Sequence, residues 1–473
     1  MDNRNGSAAP TLLEIADIMG GRLHVSIPAL GHRRITGVCS DTRRIAEGNL
    51  FVAIAGERYD GHDFVPEAMR SGACASLVAA DWLAGRPDRE TPDDARIVVP
   101  EVLPALQAFA GWHRRRFDLP VIAVTGSSGK TTTKNMVAAV LGERYRVFKT
   151  PGNLNSQLGV SESLFSLHEG HGAAVLELGM NRAGELTRLS RMTSPSVGVI
   201  TNVGPAHIEF FESIEGIARA KGEILDNLPE AGSAVLNADD PLVMKQAVRS
   251  PARVVTFGRS EGADVRLASA TTALTGSTFA LSDGASFRIN LLGEHQVTNA
   301  MAAVAVGRIS GIDDQDIARA LRSLDPTPMR MEYRKVGAVH LIDDTYNANP
   351  SSMKAALDTL ATAGGRKLVV LGDMLELGEL GMAAHREIGK RAADVAERIV
   401  TVGELAREIA GAAMHAGMPA SRVSSCLSND EAVAAAMAGI EAVDVILVKG
   451  SRGMRMETIV ESLEVALGHT ESE

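Results

Sequence analysis

The sequence predicts an α/β protein of three domains. The central domain holds a mostly parallel sheet of P-loop type with added antiparallel strands, and the C-terminal domain is doubly wound and Rossmann-like. Three observations carry this. The 473 residues are too many for one typical hydrophobic core. Short apolar runs alternate with helical stretches along most of the chain, the pattern of parallel strands covered on both faces. One stretch, Pro120 to Lys134 (PVIAVTGSSGKTTTK), reads as a buried strand, a glycine turn and a helix start. The expected boundaries are 1–115, 116–325 and 326–473.

Composition narrows the function. The chain is 45% hydrophobic and 22% charged, as globular proteins are, and no apolar run is long enough to span a bilayer. The first ten residues, MDNRNGSAAP, lack the apolar core of a secretion signal, which predicts a cytoplasmic protein. A formal net charge of −10 argues against nonspecific nucleic-acid binding, which draws affinity from basic surface. Cys39, Cys74 and Cys426 are widely spaced and read as small hydrophobes in a reducing compartment.

Residues 1 to about 115 read as an α/β module. Thr11 to Gly20 is a helix with Thr11 placed to cap it. Gly48-Asn49 marks a turn before the strand LFVAI; Phe64 to Ser71 is a helix and Ala75 to Ala79 a strand. The polar loops SDTRR and GERYDGH lie beside strand ends, where ligands commonly sit, although solvated turns look the same. Residues 90–96 (ETPDDAR) read as a charged loop. A helix, Leu103 to Arg116, follows, and its basic end HRRRF reads as a solvated terminus whose charge suits the helix dipole.

In the central region, strands are expected at 121–125, 173–178, 197–201, 234–237 and 253–257, and antiparallel strands between about 258 and 292. The turn after the first of these is a phosphate cradle. Gly126 and Gly129 let the backbone approach an anion, and the helix start that follows aims N–H groups at it. Lys130 adds a point charge, and the Thr131 hydroxyl suits a magnesium ion. Only two residues separate the glycines, so the usual four-residue spacing is not met. Glu177 ends an apolar strand, well placed to hold magnesium beside phosphates. His207 and Lys221 are not lifted by composition above a structural and a solvated role. Asn299, in an Ala-rich helix, carries an amide able to pair with a purine edge.

From 326 onward, DPTPMRMEYRK reads as a hinge or linker. VHLIDD, KLVVLGD, RIVTVG and DVILVKG are apolar runs stopped by polar or glycine residues, the first three followed by helices. Asp343, Asp344, Tyr346, Asn347 and Asn349 crowd one strand end, too much polarity for an ordinary turn.

Taken in order, SDTRR with LFVAIAGERYDGHDF, TGSSGKTTTK, TPGNLNSQLGV, ELGMNRAGEL, NVGPAHIEFFES with AKGEI, GEHQVTNAMAA, DDTYNANPSSMKAAL, VLGDMLELG and VKGSRGMRME resemble the Mur ligase family of peptidoglycan synthesis. They resemble most its members that add D-alanyl-D-alanine, and GSSGKT is that family's own form of the cradle. The resemblance implies a domain for the UDP end of the substrate, one for ATP and a mobile C-terminal one. It implies a monomeric ATP-dependent ligase that joins D-alanyl-D-alanine to UDP-N-acetylmuramoyl-tripeptide through an acyl phosphate. By the same resemblance Gly126, Ser127, Ser128, Gly129, Lys130, Thr131 and Thr132 would cradle ATP, and Thr131 with Glu177 would hold Mg2+. His207 would serve a second metal, and Lys221 would be carbamylated into a metal-binding anion. Asn299 would read adenine, Arg330 would reach the γ-phosphate and Asp344 would meet the ribose. Tyr346, Asn347 and Asn349 would border the acceptor site. Ser40, Thr42 and the loop carrying Gly56, Glu57, Asp60, Gly61 and His62 would hold the UDP portion, with Thr150, Asn153 and Asn155 near the muramoyl side. The rival readings are another amide ligase of this fold, an ATP-driven switch or motor, and a noncatalytic nucleotide-binding module.

Overall fold

A computed structural model describes residues 9–56, 59–84, 95–206, 208–440 and 443–469. The chain forms two compact units: Met1–Ala123 with Tyr145–Met180 and Gly184–Ser196, and Val124–Arg144 with Asn181–Ala183 and Val197–Glu473.

The first unit contains a five-stranded sheet. In spatial order its strands are Arg22–Val25, Ala95–Val99, Ala75–Ala79, Asn49–Val52 and Gly37–Cys39. All pair in parallel except the first, which runs antiparallel to Ala95–Val99. Helix Leu12–Ile18 starts where the sequence predicts, because Thr11 and Glu14 close a capping box. Helices Val65–Arg70 and Val102–Arg115 and strand Ala75–Ala79 also fall where expected. Val147–Lys149 and Ala173–Glu177 form a parallel pair in the same unit.

Two expectations in this unit are corrected. Residues 95 and 96 are strand rather than loop, since ARIVV is an apolar run that the sheet buries; residues 90–94 lie outside the described residues. The basic end of helix Val102–Arg115 is not uniformly solvated: His113 and Arg114 are buried. Arg114 Nε donates to Thr193 O at 3.1 Å, Nη1 to Phe117 O at 2.7 Å and Nη2 to Leu119 O at 3.1 Å. A guanidinium with three carbonyl acceptors tolerates burial, and its fork ties together segments far apart in sequence. Arg115 stays exposed.

In the second unit, strands lie in the order Ser286–Ile289, Gly276–Leu281, Val265–Ala273, Arg253–Gly258, Ser233–Asn237 and Val197–Ile200. The first three are antiparallel and the rest parallel, as the change from alternating to continuous apolar patterning predicts. Helix Glu294–Ile309 is buried on nearly every side, which is why its sequence is Ala-rich and without an apolar stripe.

The same unit holds a six-stranded sheet: Glu332–Val336, Val339–Asp343, Val445–Lys449, Lys367–Gly372, Arg398–Val402 and Val423–Cys426. Only the first pair is antiparallel. Here the expected linker is corrected. Glu332–Val336 is an edge strand in a hairpin, and its three charged residues among five fit a half-solvated edge. Val423–Cys426 is a further strand, too short and polar to stand out in sequence, and DVILVKG too is followed by a helix, Glu457–His469. The three cysteines are unpaired. Among the described residues no helix is long and apolar enough to cross a membrane.

Candidate active site

The cradle is built as its residue types require. Strand Val121–Thr125 is buried throughout, and helix Lys130–Gly142 starts from Gly129 at φ +78°. Gly126 has φ +153°, and a Cβ there would collide with the Thr201 hydroxyl. The segment after strand Val197–Ile200 braces the loop. Thr201 Oγ1 donates to Ser128 O at 2.6 Å, and Ser127 N–H donates to Asn202 O at 3.0 Å. Ser128 N–H donates to Asn202 Oδ1 at 2.9 Å, and Ser127 Oγ donates to Gly204 O at 2.9 Å. Lys130 folds back so that Nζ donates to Gly126 O at 2.8 Å, which sets its charge over the loop mouth. Thr131 and Thr132 are buried in the first helical turn. N–H groups of a first turn point out of the helix start, so an anion here would meet both them and the dipole.

Asn299 arrives at this loop through helix packing. Helix Glu294–Ile309 lies alongside Lys130–Gly142, with Asn299 facing Gly129 and Gly307 facing Val140, so the two run in the same direction. A Cβ on Gly129 would collide with the Asn299 amide. That amide donates through Nδ2 to Gln296 Oε1 at 3.0 Å.

Arg330, in the turn before strand Glu332–Val336, reaches the same helix start. Its Nη2 donates to Thr131 Oγ1 at 3.0 Å, and its guanidinium lies over the Tyr346 ring, 3.9 Å from the centroid. Met329 and Met331 on either side have φ +60° and +50°, left-handed values that cost non-glycine residues about 1–3 kcal/mol each. The turn is held by Tyr346 N–H, which donates to Met329 O at 3.1 Å, and by Met331 N–H, which donates to Asp344 Oδ1 at 3.1 Å. Asp344 Oδ2 forms an ion pair with Lys449 Nζ at 2.5 Å. Asn347 is exposed, with Oδ1 accepting from Ala348 N–H at 2.9 Å. Asn349 caps helix Pro350–Ala361 by accepting from Ser352 N–H at 2.9 Å. Burial holds the pKa of His295 down at about 4, against the pull of the Asp344 carboxylate.

Lys221 is 3% exposed in helix Ile214–Gly222. Burial, and then the like charge of Lys130, push its pKa well below the usual lysine value. His207 lies outside the described residues, as does Glu57.

In the first unit, Glu177 ends a strand buried along its whole length. Its Oε1 accepts from Asn155 Nδ2 at 2.7 Å, and its N–H donates to Thr150 Oγ1 at 3.1 Å. Thr150 N–H in turn donates to Val175 O at 3.1 Å, so Glu177, expected at a metal, shares one cluster with Thr150 and Asn155, expected near the muramoyl side. Asn153 is exposed in the turn before Asn155.

Three family models match in sequence. One for the Mur ligase family, catalytic domain, matches residues 34–114; one for the Mur ligase middle domain, 124–307; and one for the Mur ligase, glutamate ligase domain, 329–452. The chain belongs to the Mur ligase family. It is 39% identical over 463 residues to the UDP-N-acetylmuramoyl-tripeptide–D-alanyl-D-alanine ligase of Bacillus subtilis, covering 96% of this chain and 98% of that one. MurF from Acinetobacter baumannii superposes with a TM-score of 0.86 at 32% identity, covering 96% and 98% of the two chains. MurF from Thermotoga maritima, crystallised in complex with ADP, superposes with a TM-score of 0.80 at 30% identity, covering 92% and 98%.

The remaining residues singled out in this Mur ligase-family chain sit on loops of the first unit. Ser40 and Thr42 are half-buried beside strand Gly37–Cys39, and Asp41 caps the short helix that Thr42 begins. The Asp41 carboxyl is held down at about 2 by the Arg43 guanidinium. Gly56 N–H donates to Tyr59 O at 2.9 Å, closing the next loop. His62 is buried: its Nε2 accepts from Ala79 N–H at 3.0 Å, so Nδ1 carries the hydrogen and donates to Asp60 Oδ1 at 2.6 Å. Gly61 packs so tightly that a Cβ would stand 2.6 Å from the Ile54 backbone.

Sequence reasoning missed the residues that act from a distance. Thr201 and Asn202 brace the cradle, and Lys449 fixes Asp344. The available signals were TNVGP directly after a strand and a lysine closing the apolar run DVILVK.

Proposed function

We infer that this chain is an ATP-dependent ligase that adds D-alanyl-D-alanine to UDP-N-acetylmuramoyl-tripeptide in peptidoglycan precursor synthesis. The observation that carries the reading is the convergence of Lys130, Thr131, Arg330 and Asn299 on the glycine loop. The activity named for the Bacillus subtilis relative supports it, as does ADP in the Thermotoga maritima neighbour.

A carboxylate is a poor electrophile, and phosphorylation gives it a leaving group. The tripeptide's terminal carboxylate attacks the γ-phosphorus, and ADP leaves. The amine of D-alanyl-D-alanine then attacks the acyl phosphate carbon. The tetrahedral intermediate collapses to the amide, releasing phosphate and the amine's proton. Lys130 and Arg330 supply the positive charge that offsets repulsion between two anions. Asn299 is assigned to adenine and Asp344 to the ribose. Tyr346, Asn347 and Asn349 are assigned to the acceptor, and Thr150, Asn153, Asn155 and the loops of Ser40, Thr42 and Gly56–His62 to the UDP substrate. The functional domains are taken as 1–115, 116–325 and 326–473, the protein as a cytoplasmic monomer. Closure of the C-terminal domain would exclude water from the acyl phosphate.

Among the described residues no group of three or more His, Cys, Asp or Glu could cage a metal ion. Magnesium needs no such cage, since one or two carboxylates with substrate phosphates and water suffice. Thr131 and Glu177 carry the hard oxygen donors it takes, and His207 is assigned to a second metal. When bound, magnesium neutralises charge on the phosphates. The neutral amine that burial favours at Lys221 is the form that adds carbon dioxide, losing a proton to become a carbamate.

The test is phosphate release and product mass with UDP-linked tripeptide, ATP and D-alanyl-D-alanine, each omitted in turn. Full-speed ATP consumption without dipeptide, and no coupled product, would overturn the reading.

A further inference from the structure

Lys449 lies at the end of a fully buried strand and is itself 2% exposed, yet nothing in the reaction above uses it. A buried ammonium persists only where its hydrogens are matched. Those of Lys449 are matched by one loop: Nζ donates to Asp344 Oδ2 at 2.5 Å, to Asn347 O at 2.9 Å and to Asp344 O at 3.4 Å. The residues downstream extend the clamp. Ser451 Oγ donates to Ala348 O at 3.4 Å, and Arg452 N–H donates to Asn347 Oδ1 at 3.3 Å.

The geometry points to Lys449 as a positioning residue that fixes the ribose carboxylate and the acceptor loop together. The inference rests on the ligase reading for the roles of Asp344 and Asn347. Its physical content is a chain of contacts. Lys449 holds one oxygen of Asp344, and the other oxygen accepts from Met331 N–H, beside Arg330. Each carboxylate oxygen keeps a lone pair for a ligand. Lys449 also holds the carbonyl of Asn347, so a single ammonium sets the register of a nucleotide group and an acceptor group. Removing it frees both at once, while the cradle at Gly126–Thr132 keeps its own bracing from Thr201 and Asn202.

The variants are Lys449→Met, Asp344→Asn and the double variant, compared with wild type. Lys449→Met should raise KM for ATP and for D-alanyl-D-alanine by about tenfold, the low end for groups that orient a binding residue. KM for UDP-linked tripeptide should hold. ADP affinity by calorimetry should fall in parallel. Because Lys449 acts on the nucleotide through Asp344, the double variant should bind ADP no worse than Asp344→Asn alone. It also leaves no uncompensated buried charge, so it keeps the measurement open if Lys449→Met fails to fold. Unchanged KM values, a fall in active fraction and Tm alone, or additive losses in the double variant would overturn the inference. If wild type forms no amide, the ligase reading fails instead, and ADP binding by the same variants still decides the role of Lys449.

Discussion

The Arg330 guanidinium donates to the Thr131 hydroxyl at 3.0 Å across 199 positions of sequence. It is held there from the other side by the face of Tyr346, 3.9 Å from the guanidinium carbon. A cation over an aromatic ring with one edge directed forward is preorganised for a phosphate.

Arg330→Lys keeps the charge but loses the planar fork and the stacking surface. The expected result is a fall in kcat of about 10²–10³, the loss typical when one preorganised donor is removed. KM for UDP-linked tripeptide should stay near wild type. Steady-state phosphate release measures both.

Gly129→Ala combines a left-handed φ of +78° with a collision against the Asn299 amide. The backbone strain alone is about 1–2 kcal/mol; a loop that relaxes it turns its N–H groups away from the anion, so ADP affinity should fall by roughly tenfold or more. Adding Asn299→Ala relieves the collision but not the strain. Calorimetry should show the double variant still impaired; wild-type affinity in Gly129→Ala would refute the cradle geometry.

Lys221 should depend on carbon dioxide. Its pKa is depressed by burial and then by Lys130, so the neutral amine is favoured at lower pH than for an exposed lysine. Activity should drop in buffer stripped of carbon dioxide and return with bicarbonate. Lys221→Ala should be inactive and partly rescued by short-chain carboxylic acids. No rescue, with an unmodified lysine in density, would argue against the carbamate.

Acid stability should carry the signature of His113. Its Nε2 lies 3.0 Å from Leu167 O, so Nε2 carries the hydrogen, and Nδ1 is buried with no partner among the described residues. Protonation would create a buried N–H with no acceptor, and burial accordingly lowers the pKa from 6.5 to about 4. A depressed folded pKa means that stability is full above pH 6.5 and is lost as pH falls towards 4. The slope approaches about 1.4 kcal/mol per pH unit and the total about 3 kcal/mol. His113→Gln should lower stability at pH 7 and flatten this part of the Tm profile; an unchanged profile would count against the assignment.

Local periodicity and glycine placement were enough to locate most strands and the phosphate cradle. A fully buried strand such as Val121–Thr125 must be continuously apolar, and only glycine adopts the backbone of residue 129 without strain. The edge strand Glu332–Val336 escaped because an edge tolerates charge, so its residues resemble a linker. His113 and Arg114 escaped because a basic helix end reads the same whether water or carbonyl groups satisfy it.

By itself, then, the chain determined its α/β class, its nucleotide loop and, through the order of its motifs, its family. Tertiary structure alone decided that Arg330 meets Thr131, that Asn299 faces Gly129 and that Lys449 clamps Asp344. The physical reason is range. Backbone preference and hydrophobic period act over a few residues, whereas these contacts join side chains that only packing brings within hydrogen-bond distance.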